Sequence, residues 1–151
     1  MIQRIQTLFL FQLILLGIAL MLVPSGYLAA GGEPEEIYLL PVRNINFQSS
    51  PGHWAAIVIN ITGIILALLT VFLYKKRNIQ RNLCFALTVL WLVLALMIAF
   101  CPFISGADTP ASTTVNYYAV IIAILGSMGA MLAARFIKRD IDLLKSADRI
   151  R

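Results

Sequence analysis

The fold class this sequence predicts is an all-α, polytopic membrane protein: a four-transmembrane-helix bundle with both termini cytoplasmic and a short amphipathic C-terminal helix. Three observations predict it. Of the 151 residues, 60% are hydrophobic and 13% charged, and the mean hydropathy is +0.88; soluble domains carry about 45–50% apolar and about 25% charged residues. The charges that remain are bunched, so the chain cannot supply the polar surface that a soluble fold of this size requires. Finally, four apolar runs each approach the roughly 20 residues with which a helix, rising about 1.5 Å per residue, crosses a hydrocarbon core of about 30 Å. These runs use about half the chain and leave a single membrane domain, residues 1–151, with no room for a separate soluble one.

The first span is predicted at residues 7–28. Its core is apolar apart from Gln12, and Pro24-Ser25-Gly26 supplies turn chemistry near its end. A secretory signal peptide, with Arg4 as its basic start and Ala29-Ala30-Gly31 as cleavage site, is the competing reading. The apolar run is longer than the 7–15 residues of a signal h-region, which favours a retained span. Residues 29–53 form an outer loop with Glu33, Glu35, Glu36 and several Gly and Pro breakers. Within it, residues 37–42 read as a strand or a surface-lying segment. The alternation in Asn44-Ile45-Asn46-Phe47 allows a small hairpin with them.

The second span, residues 54–74, stops at Lys75-Lys76-Arg77, and the third, residues 82–101, is expected to end at Pro102. About eight residues join them, which makes an antiparallel helical hairpin. A second outer loop, residues 102–114, has turn chemistry around Gly106 and Pro110. The fourth span, residues 115–134, is expected to continue as helix into a tail at residues 135–151.

Orientation follows from the excess of Lys and Arg on the cytoplasmic side of membrane proteins. With the N-terminus inside, Arg4, Lys75, Lys76, Arg77, Arg81 and the six basic residues of the tail are inside, and Arg43 alone is outside. The net charge of +5 therefore reflects topology, and no nucleic-acid partner is expected. Tyr27, Trp54, Tyr117 and Tyr118 fall at the outer interface and Tyr74 and Phe136 at the inner one, as interfacial aromatics should. Trp91 lies near mid-depth.

No ionisable residue falls between the span ends, so the usual mark of a proton or ion path is missing. Gln12, Asn60, Thr62, Thr70, Thr88 and Ser127 are the polar groups expected deepest, and an amide such as Asn60 joins helices by a hydrogen bond. Gly63 with Ala67, and Gly126 with Ala130, fit the small-xxx-small pattern of close helix approach. Packing of spans two and four on each other is the simpler reading of these pairs, and a homo-oligomer the sharper one. His53 has only the loop acids Glu33, Glu35, Glu36 and Asp108 as prospective partners, and no spacing among them resembles a catalytic motif. Cys84 and Cys101 lie at opposite ends of one span, about 25 Å apart along a helix, too far for a disulfide. No catalytic residue, metal site or cofactor is expected.

The tail pairs Lys138 and Arg139 with Asp142 at helical spacing and carries an apolar stripe, Ile137, Ile141 and Leu144. Such a stripe suits either an anionic leaflet or a protein partner.

The two ends of the chain carry a family resemblance. Met1-Ile2-Gln3-Arg4-Ile5-Gln6-Thr7, running directly into an apolar span, resembles the start of an uncharacterised bacterial inner-membrane family, domain of unknown function 4293. Ile137-Lys138-Arg139-Asp140 and the closing Leu144-Lys145-Ser146-Ala147-Asp148-Arg149-Ile150-Arg151 are similar to that family's terminal signature. The resemblance implies four spans in a bacterial inner membrane and no assigned activity. It also implies that the specific residues gather on the cytoplasmic face, at Gln3, Arg4, Gln6, Asp140, Ser146, Asp148 and Arg149.

The functional expectation is a non-enzymatic accessory subunit or scaffold in the lipid bilayer, binding a membrane or cytoplasmic protein through Gln3, Arg4, Gln6, Ile141, Leu144, Ser146, Asp148 and Arg149. The alternative is a small solute transporter or oligomeric pore lined by Asn60, Thr62 or Ser127.

Overall fold

A computed structural model describes residues 3–29, 35–40, 51–74, 76–104 and 112–148. Its order is α1 (Gln3–Leu22), β1 (Pro24–Ala29), β2 (Glu35–Tyr38), α2 (Pro51–Phe72), α3 (Arg77–Ile104), β3 (Ser112–Val115) and α4 (Tyr117–Asp148). All four helices are long and apolar enough to cross a membrane.

Several boundaries depart from the sequence reading. α1 ends at Leu22, not at residue 28, because Pro24 cannot continue the helical hydrogen bonding and the apolar residues after it enter a strand. α2 begins at Pro51, where a proline's fixed φ suits the first helical position. α3 runs past Pro102 to Ile104; a proline in the last turn disturbs only the end of the ladder. The tail is no separate short helix: α4 is one element of 32 residues, about 48 Å long. It therefore exceeds a hydrocarbon core by several turns.

A three-stranded antiparallel sheet, in the order β2-β1-β3, closes the end of the body where α1 stops and α4 starts. Tyr27 is paired with Glu36 on one side and Thr114 on the other. The strand expected within residues 37–42 is thus realised at Glu35–Tyr38, but its partner is β1; Asn44 to Phe47 lie outside the described residues. Ser25 donates to the carbonyl of Ile37 at 2.9 Å, and Asn116 donates to that of Pro24 at 2.7 Å. Asn116 also accepts from the backbone N–H of Tyr118 at 3.0 Å, an N-cap on α4 that ties helix to sheet.

The helices pack in a ring: α1 touches α2 and α4, and α3 touches the same two. Each contributes one inward seam with steps of three and four residues, such as Gln6, Leu10, Leu13, Gly17 and Leu20 on α1. The opposite faces are also apolar and larger, with Leu8, Phe11, Leu15 and Leu22 exposed on α1. The inside is thus set apart by small and polar residues rather than by hydrophobicity. This is the pattern expected where lipid removes the hydrophobic drive and close packing supplies the association.

Trp91 is the keystone of the ring. It is 1% exposed, and a Cβ built on Gly126 of α4 would stand 2.1 Å from its ring. A Cβ on Gly63 of α2 would stand 3.6 Å from its Nε1. The two small-residue pairs therefore receive one indole from α3, and spans two and four pack chiefly on α3 instead of on each other. Ala67 and Ala130 are fully buried in the same core.

Candidate functional site

The start of α1 and the end of α4 are tied together. The Gln6 amide nitrogen donates to a carboxylate oxygen of Asp140 at 2.9 Å, both side chains being buried. One turn deeper, Phe9 stacks on Phe136 with ring centroids 5.6 Å apart. Sequence position predicts neither contact, since 134 residues separate Gln6 from Asp140. Asp140 reaches the interior because it follows Ala130, Ala133 and Ile137 along the seam of α4. The turn between α2 and α3 lies at this same end, where buried Gln80 donates to the carbonyl of Thr70 at 3.3 Å.

The tail stripe divides. Ile137 and Ile141 belong to the core, whereas Leu143 and Leu144 are 49% and 48% exposed. Ile141, expected to bind a partner, packs in the core here, because α4 keeps its seam against the body for two turns beyond the expected span end. Leu144 and the exposed Ser146 remain available; the Ser146 hydroxyl returns to its own helix, donating to the carbonyl of Leu143 at 2.7 Å. Lys138, Arg139 and Asp142 are exposed, and the ion pairs expected among them are not formed. Gln3, Arg4 and Asp148 lie on described helix, but their side chains, and the whole of Arg149, lie outside the described residues.

At mid-depth, the Asn60 amide nitrogen donates to the Gly17 carbonyl at 3.1 Å, joining α2 to α1. A Cβ on Gly17 would stand 2.5 Å from Ile64, so glycine alone permits that approach. The Asn60 Oδ1 atom and the Trp91 Nε1 atom are buried with no hydrogen-bond partner. Other polar groups expected deep are not all so: Gln12 and Thr62 are exposed on their helices, and the Thr62 hydroxyl bonds back to the Val58 carbonyl. Thr70 and Ser127 are buried and likewise bond to their own helices.

His53 is buried at the start of α2, near the sheet end. Glu36 is exposed and accepts from the Tyr38 hydroxyl. Glu33 and Asp108 lie outside the described residues. Among the described residues, no three His, Cys, Asp or Glu side chains gather in a metal-binding group. Cys84 is buried and unbridged.

The family model of the domain of unknown function (DUF4293) matches residues 2–150, which takes in both ends of α1 and α4. The chain belongs to this family. The matched stretch of this DUF4293 protein includes both partners of the Gln6–Asp140 bond, one from each terminal motif. No curated protein and no solved structure matches it.

Proposed function

We propose that this DUF4293 chain is a non-enzymatic accessory subunit or scaffold of a bacterial inner membrane, with both termini cytoplasmic and a protein partner bound at that end. One observation carries the reading: Gln6 of the N-terminal motif and Asp140 of the C-terminal one are hydrogen-bonded, which brings the start of α1 to the end of α4. Beside that bond, α4 presents exposed Leu143 and Leu144 among exposed charges. A membrane-spanning body needs no such apolar pair where its helix has left the hydrocarbon. Eleven of the twelve basic residues on one side of a four-span topology support the orientation.

The test is affinity purification from native membranes in mild detergent, with a tag inserted at Gly106-Ala107, followed by mass spectrometry. A stoichiometric partner that is lost from a Leu143→Asp/Leu144→Asp double variant supports the reading. Recovery of the chain alone, or a partner retained by that variant, removes it.

A second reading, conduction of a small solute, gains support from the unpartnered polar atoms of Asn60 and Trp91 in the interior. Flux into liposomes, compared with an Asn60→Leu variant, separates the two readings. No uptake above empty vesicles for several solute classes retires the second.

A further inference from the structure

At the terminal end of the helices the described bases Arg77, Arg81, Arg135, Lys138 and Arg139 outnumber the described acids Asp140 and Asp142. Arg81, in the second turn of α3, is half-buried, and its Nε is buried with no acceptor. Its one recorded bond runs from a terminal guanidinium nitrogen to the neighbouring Asn82 Oδ1, at a long 3.4 Å. α1, α2 and α3 contain no acidic residue at all. The acids of α4 are Asp140, which accepts from Gln6 on the α1 side, Asp142, which is exposed, and Asp148, about three turns beyond the level of Arg81. A permanently charged guanidinium, partly desolvated and with no ion pair among the described residues, favours an anion from outside the chain.

The level of Arg81 identifies that anion. Trp91 meets Gly126, which fixes the antiparallel register of α3 against α4. Counting outward from that contact, Arg81 lies ten residues before Trp91 and Phe136 ten after Gly126; Arg77 is likewise level with Asp140. Lys138, which follows Gly126, Ala130 and Ala134 along α4 at steps of four, is therefore within a turn of Arg77 and Arg81 in depth, whereas Arg135 and Arg139 share that depth on the outward face with Met128 and Leu132. Exposed Tyr74, two residues past the end of α2, suits an interface at this end of the helices. Basic clusters between helices at this depth suit phospholipid phosphates. The N-terminus of α3, a helix of 28 residues, adds its positive dipole end.

We infer that the junction of α3 and α4 binds the phosphate of an anionic phospholipid, with Arg81 as its central donor and Arg77 and Lys138 beside it. The site rests on the membrane reading and is independent of any protein partner.

The experiment titrates phosphatidylglycerol into the delipidated full chain in a neutral detergent, with bound lipid counted by native mass spectrometry. Phosphatidylcholine of the same acyl chains, glycerol phosphate and an acidic peptide are titrated in parallel. Phosphatidylglycerol should bind about tenfold more tightly than phosphatidylcholine, and Arg81→Gln should remove about that factor, as for the loss of one charge-assisted hydrogen bond. Arg81→Lys should retain part of the preference, and Arg43→Gln, an equal change of net charge elsewhere, should retain all of it. Equal affinity for the two lipids in the unaltered chain overturns the inference whatever the variants do. So does an equal loss from Arg43→Gln and Arg81→Gln, or binding of glycerol phosphate or the acidic peptide as tight as that of the lipid.

Discussion

Gln6 and Asp140 meet inside the protein although they lie near opposite ends of the chain: the amide of the first donates to the carboxylate of the second at 2.9 Å. The bond is the polar counterpart of the Phe9–Phe136 stack beside it, and together they close the ring of helices by joining the last to the first. In a body held by packing rather than by hydrophobic drive, such a closure determines whether α4 ends as part of the fold or as a loose tail.

Removing one partner of that bond leaves the other buried and unsatisfied, which costs about 1–3 kcal/mol and more when the survivor is charged. Gln6→Leu, which strands the carboxylate, should therefore destabilise more than Asp140→Leu, which strands a neutral amide. Asp140→Asn keeps an acceptor oxygen and should cost less than either. Unfolding by dodecyl sulfate from mixed micelles measures all three. An Asp140→Asn loss as large as that of Gln6→Leu would show that the charge of the acceptor matters as much as the hydrogen bond at this position.

Gly126 and Trp91 offer a test of packing. A methyl group on Gly126 would enter the indole ring, with three ring atoms within 2.6 Å. Overpacking of this kind costs about 1–3 kcal/mol. Gly126→Ala should destabilise by that amount, and Trp91→Phe in the same chain should recover part of the loss, giving a coupling of about 0.5–3 kcal/mol in a double-mutant cycle. Strict additivity would mean that the two helices separate at this level.

What sequence made legible here, and what it left hidden, follows from the physics of each element. The four long helices announce themselves through hydropathy, because each run must match the membrane on its own. The sheet does not: Gly26 pairs with Val115, far along the chain, and short strands of three separate segments carry little local signal. The overlong first span has the same origin, since Tyr27 and Leu28 are as apolar in β1 as they would be in a helix. Of the site, the terminal motifs and the inward Asn60 could be named in advance. The meeting of Gln6 with Asp140 could not, nor could the burial of Ile141, because an apolar stripe gives a period and not the point at which its neighbours end. Trp91 could be placed at mid-depth, but its role as the shared knob of Gly63 and Gly126 depends on which helices adjoin.

Asn60 makes one interhelical bond and leaves its oxygen without a partner. Interhelical hydrogen bonds in membranes average about 0.6 kcal/mol, and losing an orphaned acceptor works in the opposite direction. Asn60→Leu should thus change stability by less than about 1 kcal/mol, whereas Gly17→Val at the same contact should be far more damaging, since its Cβ alone would stand 2.5 Å from Ile64. The same unfolding assay decides. A loss of about 3 kcal/mol or more for Asn60→Leu would be the sign of a buried network with both amide ends engaged.

The division of the tail stripe gives the last prediction. Ile141 is 9% exposed and packs in the core, whereas Leu144 is 48% exposed. Burying an aspartate at position 141 would place an unpaired charge against apolar neighbours, so Ile141→Asp should destabilise the fold by several kcal/mol and lower the yield of folded chain. Leu144→Asp, on the outward face three residues later, should leave unfolding within about 0.5 kcal/mol of the original, as surface changes do. The pair therefore separates folding from recognition: loss of a copurifying partner with Leu144→Asp, at unchanged stability, places recognition on the outward face of α4. Equal destabilisation by both substitutions would mean that the last turns of α4 are held by the body all round, and that a partner must use another surface.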